Sequence, residues 1–176
     1  MKKIILTVFA ASSLLLYSTP SFALINFSVG VPLSHSVTGK SNDGTEIKTD
    51  GVSGAFIQVG VPVLPGIGMD SYKTKFENST TELATMIYNL YYLLPIPIIN
   101  LTLGAGVGST EMQCGTCAAS FDKGTANQWY VSFGMPIIPL FDLHLSYRSI
   151  SSKLVSTSAE YDLGGNIMGL GIGFNF

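Results

Sequence analysis

Charged side chains are scarce in this chain of 176 residues: Asp, Glu, Lys and Arg make up 11%, less than half of the roughly 25% usual for soluble domains. A water-facing surface built from such a composition would be badly under-charged, which argues against an ordinary soluble globule. Basic residues are also outnumbered, with nine Lys and Arg against eleven Asp and Glu, which argues against a nucleic-acid partner. Only two cysteines occur, and they form Cys114-Gly-Thr-Cys117 with no second pair and no βαβ context. That spacing reads as a small disulfide stiffening an exposed loop in an oxidising compartment, ahead of a redox pair or half a metal site. A membrane helix is missing as well. The longest charge-free stretch, between Leu83 and Thr110, is interrupted by Pro95 and Pro97 and loaded with Asn89 and Asn100.

What the chain does have is glycine, 19 residues of it, and strict two-residue alternation. In Ala84, Met86, Tyr88, Leu90, Tyr92 and Leu94 every second residue is apolar. After the prolines Ile99, Leu101, Leu103, Ala105 and Val107 alternate with Asn100, Thr102, Gly104, Gly106 and Gly108. The last residues do the same: Met168, Leu170, Ile172, Phe174 and Phe176 face one way, and Gly169, Gly171, Gly173 and Asn175 the other. One face suits lipid and the other a crowded interior. The glycines at 104, 106 and 108 alternate within a strand and precede no helix, so they are not a phosphate loop.

At the amino-terminal end Lys2 and Lys3 precede an apolar stretch that gives way to Ser18-Thr19-Pro20-Ser21-Phe22-Ala23. This is the pattern of a secretory signal peptide over residues 1–23, cleaved after Ala23 and too short to span a membrane. Residues 24–176 then form a single domain. Within it, short proline-containing turns (Val61 to Gly66, Leu94 to Pro97, Met135 to Pro139) alternate with charged polar loops. Eight strands are predicted: Ile25 to Ser36, Val52 to Val61, Ile67 to Phe76, Leu83 to Leu94, Ile98 to Ser109, Gln128 to Met135, Phe141 to Ser151 and Leu163 to Phe176. Pro32 lacks a ladder donor and is expected to bulge or shorten the first strand. Backbone groups in hydrocarbon must all be paired, so strands that face lipid imply a closed barrel without edges. The fold class is therefore all-β, a closed antiparallel up-and-down transmembrane β-barrel. Phe27, Tyr92, Phe141, Phe174 and Phe176 would form an aromatic girdle on the turn side, and Trp129 and Tyr147 one nearer the loops.

The signal peptide, the eight amphipathic strands and the ending Gly171-x-x-Phe174-x-Phe176 resemble the small outer-membrane β-barrel proteins of the OmpA/OmpX type. The ending is similar to the signal by which the bacterial outer-membrane assembly machinery recognises its substrates, with Gly169 standing where a polar residue is usual. The resemblance implies export through the periplasm and insertion into the outer membrane of a Gram-negative envelope, with the lipid bilayer and the assembly machinery as partners. It implies no particular activity, cofactor or metal, and no oligomeric state.

Eight strands enclose an interior that side chains can fill, which disfavours a general porin. The predicted inward set includes Gln58, Asn89, Tyr91, Gln128, Tyr130, Asp142, His144 and Arg148, with bulky groups filling the space left by glycines of the fifth and eighth strands. Asp142 and Arg148 are roughly 20 Å apart along one strand at ~3.3 Å per residue, so Arg148 is expected to pair with another carboxylate, Glu160 or Asp162, in an interior polar network. His35, the other histidine, is read as a residue of the loop-side surface. His144-Leu145-Ser146 with Glu160 resembles the His, Ser and Glu set of an outer-membrane lipid A deacylase, but Leu143, Leu145 and Tyr147 claim the lipid face and turn His144 and Ser146 into the lumen. The reading that follows is a non-enzymatic integral outer-membrane protein with exposed polar loops and a structural or surface-interaction role. A narrow transporter or binder of a small hydrophobic molecule is the alternative.

Overall fold

The structure, a computed structural model, describes residues 25–39, 46–61, 64–96, 99–113, 123–138, 140–156 and 159–176. Among the described residues nine strands are present: β1 (Asn26–Val37), β2 (Thr49–Gly60), β3 (Gly66–Phe76), β4 (Glu82–Pro95), β5 (Asn100–Gln113), β6 (Gly124–Ile138), β7 (Phe141–Ser156), β8 (Ala159–Asp162) and β9 (Gly165–Asn175). Each pairs antiparallel with its chain neighbour through β7, and β9 closes the ring by pairing with both β7 and β1. The short β8 lies beside the far end of β7 in the same register that β9 continues, as Lys153 opposite Asp162 and Ile150 opposite Gly165 show. β8 and β9 are thus one stave, and the molecule is a closed antiparallel barrel of eight staves.

Side-chain alternation explains why the sheet closes with this handing of faces. Along β4, Leu83, Thr85, Ile87, Asn89, Tyr91 and Leu93 are buried, while Met86, Tyr88, Leu90 and Tyr92 are exposed. Outside, an apolar belt circles the turn-side part of the barrel, carried by Val29 and Val31, Ile57 and Val59, Leu101 and Leu103, Phe133 and Met135, Leu143 and Leu145, and Leu170 and Ile172. The belt ends on the loop side at a ring of small polar residues: Ser34, Ser71, Ser109, Asn127, Ser149 and Asn166. These are near neighbours through the ladders, since Ser149 faces Asn166 and Met86 faces both Ser71 and Ser109. Beyond that ring the outward residues are charged or polar: Lys73, Lys75, Glu82, Glu111, Gln113 and Lys153.

The strands run further than the sequence pattern suggests. β5, β6 and β7 extend past the predicted ends on the loop side, to Gln113, back to Gly124 and on to Ser156. The apolar-outside pattern stops at the polar ring, but the backbone ladders continue above it.

Pro32 sits at an irregularity. The β1–β9 register shifts between Pro32 and Ser34, so Leu33 is an extra residue in the strand. On its other edge β1 pairs with β2 only from Asn26 opposite Gly60 to Gly30 opposite Phe56. Above that point β2 carries two left-handed glycines, Gly51 (φ 107°) and Gly54 (φ 153°), and its register with β3 also shifts between Thr49 and Val52. The seam is tied again near the rim, where Thr49 Oγ1 donates to the His35 carbonyl at 2.6 Å.

Candidate functional site: the stoppered lumen

The lumen is filled in tiers. At the turn-side mouth, Asp142 of β7 accepts hydrogen bonds at Oδ2 from Asn100 Nδ2 of β5 (2.5 Å) and Asn175 Nδ2 of β9 (2.6 Å). Asn175 in turn accepts from Asn26 Nδ2 of β1 at 2.5 Å. His144 lies above this floor with Nε2 at 4.0 Å from Asp142 Oδ2. Next, Gln58 donates from Nε2 to the Tyr130 hydroxyl (2.7 Å) and accepts at Oε1 from Ser28 (3.0 Å).

The central tier is ionic. Arg148 of β7 and Asp70 of β3 meet across the lumen with Nη1 and Oδ2 at 2.6 Å, both side chains almost wholly buried. Gln128 donates from Nε2 to Asp70 Oδ2 (2.5 Å) and to Asn89 Oδ1 (3.0 Å). The guanidinium is held between two rings, its carbon 3.8 Å from the Phe56 centroid and 4.4 Å from that of Tyr130. A buried charge is tolerated only when paired and hydrogen-bonded, and here a carboxylate on Nη1 and two π-faces take the place of part of the hydration shell, while Arg148 Nε and Asp70 Oδ1 have no protein partner. The partner expected from sequence, Glu160 or Asp162, is not the one used: Asp70 takes the guanidinium, and the Asp162 side chain is exposed. Pairing across a closed barrel joins residues far apart in sequence, so the partner is not among the carboxylates of the neighbouring polar loop but on β3.

Large side chains fit because glycines face them. A Cβ at Gly104 of β5 would collide with the Tyr130 ring, and one at Gly173 with the His144 ring. Above the ionic tier the lumen becomes apolar, with Phe56, Tyr72, Ile87, Ala126, Ile150 and Ile167 packed together. Nearer the rim Phe76, Leu83, Leu154 and Leu163 form a second cluster, with Val37, Ile47 and Met112 against it. Between the two clusters lies His35, which is 5% exposed and shares a hydrogen bond through Nδ1 with Thr74 Oγ1 at 2.7 Å. His35 is therefore an interior residue and not a surface one: the Leu33 bulge shifts the alternation by one and turns it inward. Sequence reasoning missed the two apolar clusters as well, although their signal was present in the inward register of β3, β4 and β7.

Of the residues singled out from sequence, Gln128, Tyr130, Asp142, His144 and Arg148 all face the lumen, yet they fall into two tiers. Gln128 and Arg148 meet at Asp70, whereas Asp142 and His144 belong to the mouth. His144 and Ser146 point inward from β7, and Ser146 Oγ donates to the Gly169 carbonyl at 3.4 Å. A cavity of about 20 Å³ lies between the tiers, lined by Ser132, His144, Ser146 and Arg148 among others; it has room for one water molecule. Among the described residues no three of His, Cys, Asp and Glu gather to hold a metal ion. Cys114 and Cys117 lie outside the described residues. Gly171, Phe174 and Phe176 close the last stave, where Phe174 packs edge-on against Phe141 (centroids 5.0 Å apart) and beside Phe27 (6.3 Å). Trp129 and Tyr147 pair at 6.0 Å on the outer face, close below the polar ring.

No protein-family description matches the chain, and no curated protein matches it in sequence. Solved structures do. The barrel is similar to Neisserial surface protein A, with a TM-score of 0.62 at 12% identity over 86% of this chain and 97% of the other. It is also similar to the N-terminal β-barrel domain of Pseudomonas aeruginosa OprF (0.56, 12%, 88% and 98%) and to the outer membrane protein AlkL (0.52, 16%, 88% of each). Identities this low establish the fold, and the lipid-facing belt agrees with it: this chain is a small eight-stranded β-barrel of the bacterial outer-membrane type.

Proposed function

We propose that the protein is a sealed outer-membrane anchor, a barrel that does not conduct and that holds its polar loops at the outer surface in a structural or surface-interaction role. The observation that carries this reading is the ionic tier at mid-lumen, where Arg148, Asp70, Gln128 and Asn89 are cross-bonded between Phe56 and Tyr130. A solute would have to break that tier and then pass two apolar clusters. On this reading the leader is removed after Ala23, the ending at Phe176 is what the assembly machinery engages, and Cys114 and Cys117 tie a small loop. Planar-bilayer recording tests the central claim. Purified protein is expected to leave the membrane at baseline, and reproducible steps from the intact barrel would overturn it.

The β1–β2 seam favours a second reading, a binder of a small hydrophobic molecule entering sideways. Between Gly30 and the Thr49 tie the two strands are unpaired, and Phe56 and Val52 of β2 lead from that gap to the apolar cluster behind it. Binding of a hydrophobic fluorophore to protein in lipid vesicles tests it. Saturable binding lost on stapling the seam with a disulfide would support this reading, and partition equal to that of empty vesicles would remove it.

A further inference from the structure

The closing stave poses a problem of register. Below the polar ring the outward residues of β9, Met168, Leu170, Ile172 and Phe174, are all apolar, and the inward ones between them, Gly169, Gly171 and Gly173, are all glycine. Sliding such a strand by two residues keeps every side chain on its own face, so the alternation that fixes register elsewhere is silent here. Barrel geometry does not forbid the slide either, because β9 would gain against β7 what it loses against β1. The Ser156-Thr157-Ser158-Ala159 connection carries no Gly or Asn that would pin a hairpin turn at one position.

The residues at either end of the glycine column break the monotony. Two places toward the turn side, Leu163 of the rim cluster would enter the site of Gly165, where a Cβ would collide with the Ser36 carbonyl, and Asp162 would enter that of Gly164, where one would collide with the Ile150 carbonyl. Ile167 is fully buried in the lower apolar cluster. Two places toward the turn side it would enter the site of Gly169, where a Cβ would lie 2.6 Å from the Phe56 ring and 2.9 Å from Ser146 Oγ. Two places toward the loops it would enter the site of Gly165, where a Cβ would collide with the Ser36 carbonyl. Asn175 binds Asp142 and Asn26 at the mouth. Moved toward the loops it would strike the His144 ring at the site of Gly173. Moved the other way it would leave Asp142 with one partner fewer.

We infer that Asp162, Leu163 and Ile167 at the loop end and Asn175 at the mouth set the register of barrel closure, one stop at each end of a glycine column that carries no register of its own. Asn175 thus has a role separate from its neighbours Phe174 and Phe176, which face outward.

Disulfide trapping in full-length protein refolded in detergent, in a Cys114→Ser, Cys117→Ser background, tests this. Cysteines at 27 and 174 report the native register, because Phe27 faces Phe174; cysteines at 27 and 172 report a slide by two. Removing the loop-end stop (Asp162→Gly, Leu163→Gly, Ile167→Gly) and removing the mouth stop (Asn175→Gly) are each expected to keep the native cross-link, held by the remaining stop. Together they should lower the native-to-slid ratio by about tenfold or more, as expected when a packed side chain and a charge-assisted hydrogen bond are both lost. Because the combined variant can also unfold, a second one moves the stops by two: Tyr161→Leu, Asp162→Gly, Leu163→Gly, Gly165→Ile, Ile167→Gly, Gly173→Asn and Asn175→Gly. It is expected to fold, shown by heat-modifiable migration, with the 27–172 cross-link in place of the native one. A native cross-link in the shifted variant, or failure of that variant to fold, would overturn the inference, as would a slid cross-link in the unaltered sequence.

Discussion

The two ends of this barrel obey opposite rules. Below the ring of Ser71, Ser109, Ser149 and Asn166 the wall is oily outside and polar inside, with the Arg148–Asp70 pair at its heart. Above it the same strands carry Lys73, Lys75, Glu82 and Glu111 outside and Phe76, Leu83, Leu154 and Leu163 within. Neither arrangement comes from the backbone, whose ladders run unbroken through the ring on β4, β5, β6 and β7. The solvent on the outer face decides. Where it is hydrocarbon, apolar side chains gain nothing from moving inward, and the interior is free to hold polar groups that bond to one another. Where it is water, the hydrophobic effect returns and the interior becomes an ordinary core.

Substitutions can break that contrast, and the largest effect belongs to the polar half. Arg148→Ala leaves the Asp70 carboxylate buried without its cation and is expected to cost about 3–5 kcal/mol, measured by urea unfolding in lipid vesicles. Replacing both partners, Arg148→Met with Asp70→Leu, should recover most of that loss; if the double variant is as unstable as the single one, the ion pair is not what the tier depends on. In the upper half the cost follows packing: Leu83→Ala, at a residue 1% exposed, is expected to lose about 3 kcal/mol by the cavity it leaves. A loss under 1 kcal/mol would mean that the rim cluster is not a core.

The outer face gives a sharper comparison on a single strand. Lysine at Leu103, in the belt of β5, is expected to cost about 2–4 kcal/mol in a bilayer, whereas lysine at Ser109, three outward positions along, should cost close to nothing. Equal costs would put the waterline elsewhere. The smallest effect is expected at the rim, where Lys73 and Lys75 lie 3.8 and 3.7 Å from Glu82 and are largely exposed. Lys75→Ala should change stability by less than about 1 kcal/mol, and that difference should fade with added salt.

The membrane half was legible from sequence because alternation is a local property. Eight staves, their facing, the end of β4 at Pro95 and the irregularity at Pro32 all follow from residues next to one another. Partners across the lumen are a different matter: Arg148 and Asp70 are separated by 78 positions and meet only when the ring closes. The rim was obscured for another reason. Its strands exchange the polarity of their faces without shifting the alternation, so a search for lipid-facing residues stops at Ser109 while β5 continues to Gln113. One displaced residue, Leu33, was enough to turn His35 from the expected surface into the interior.

The collar above the polar ring has a consequence for how this protein can change. Because its core of Phe76, Leu83, Leu154 and Leu163 is held together by burial from water, it supports the loops independently of the lipid beneath. Insertions, deletions and exchanges between strand tips should be absorbed there, leaving the hydrocarbon-spanning staves undisturbed. The outer surface can therefore diversify quickly while the embedded part stays as it is.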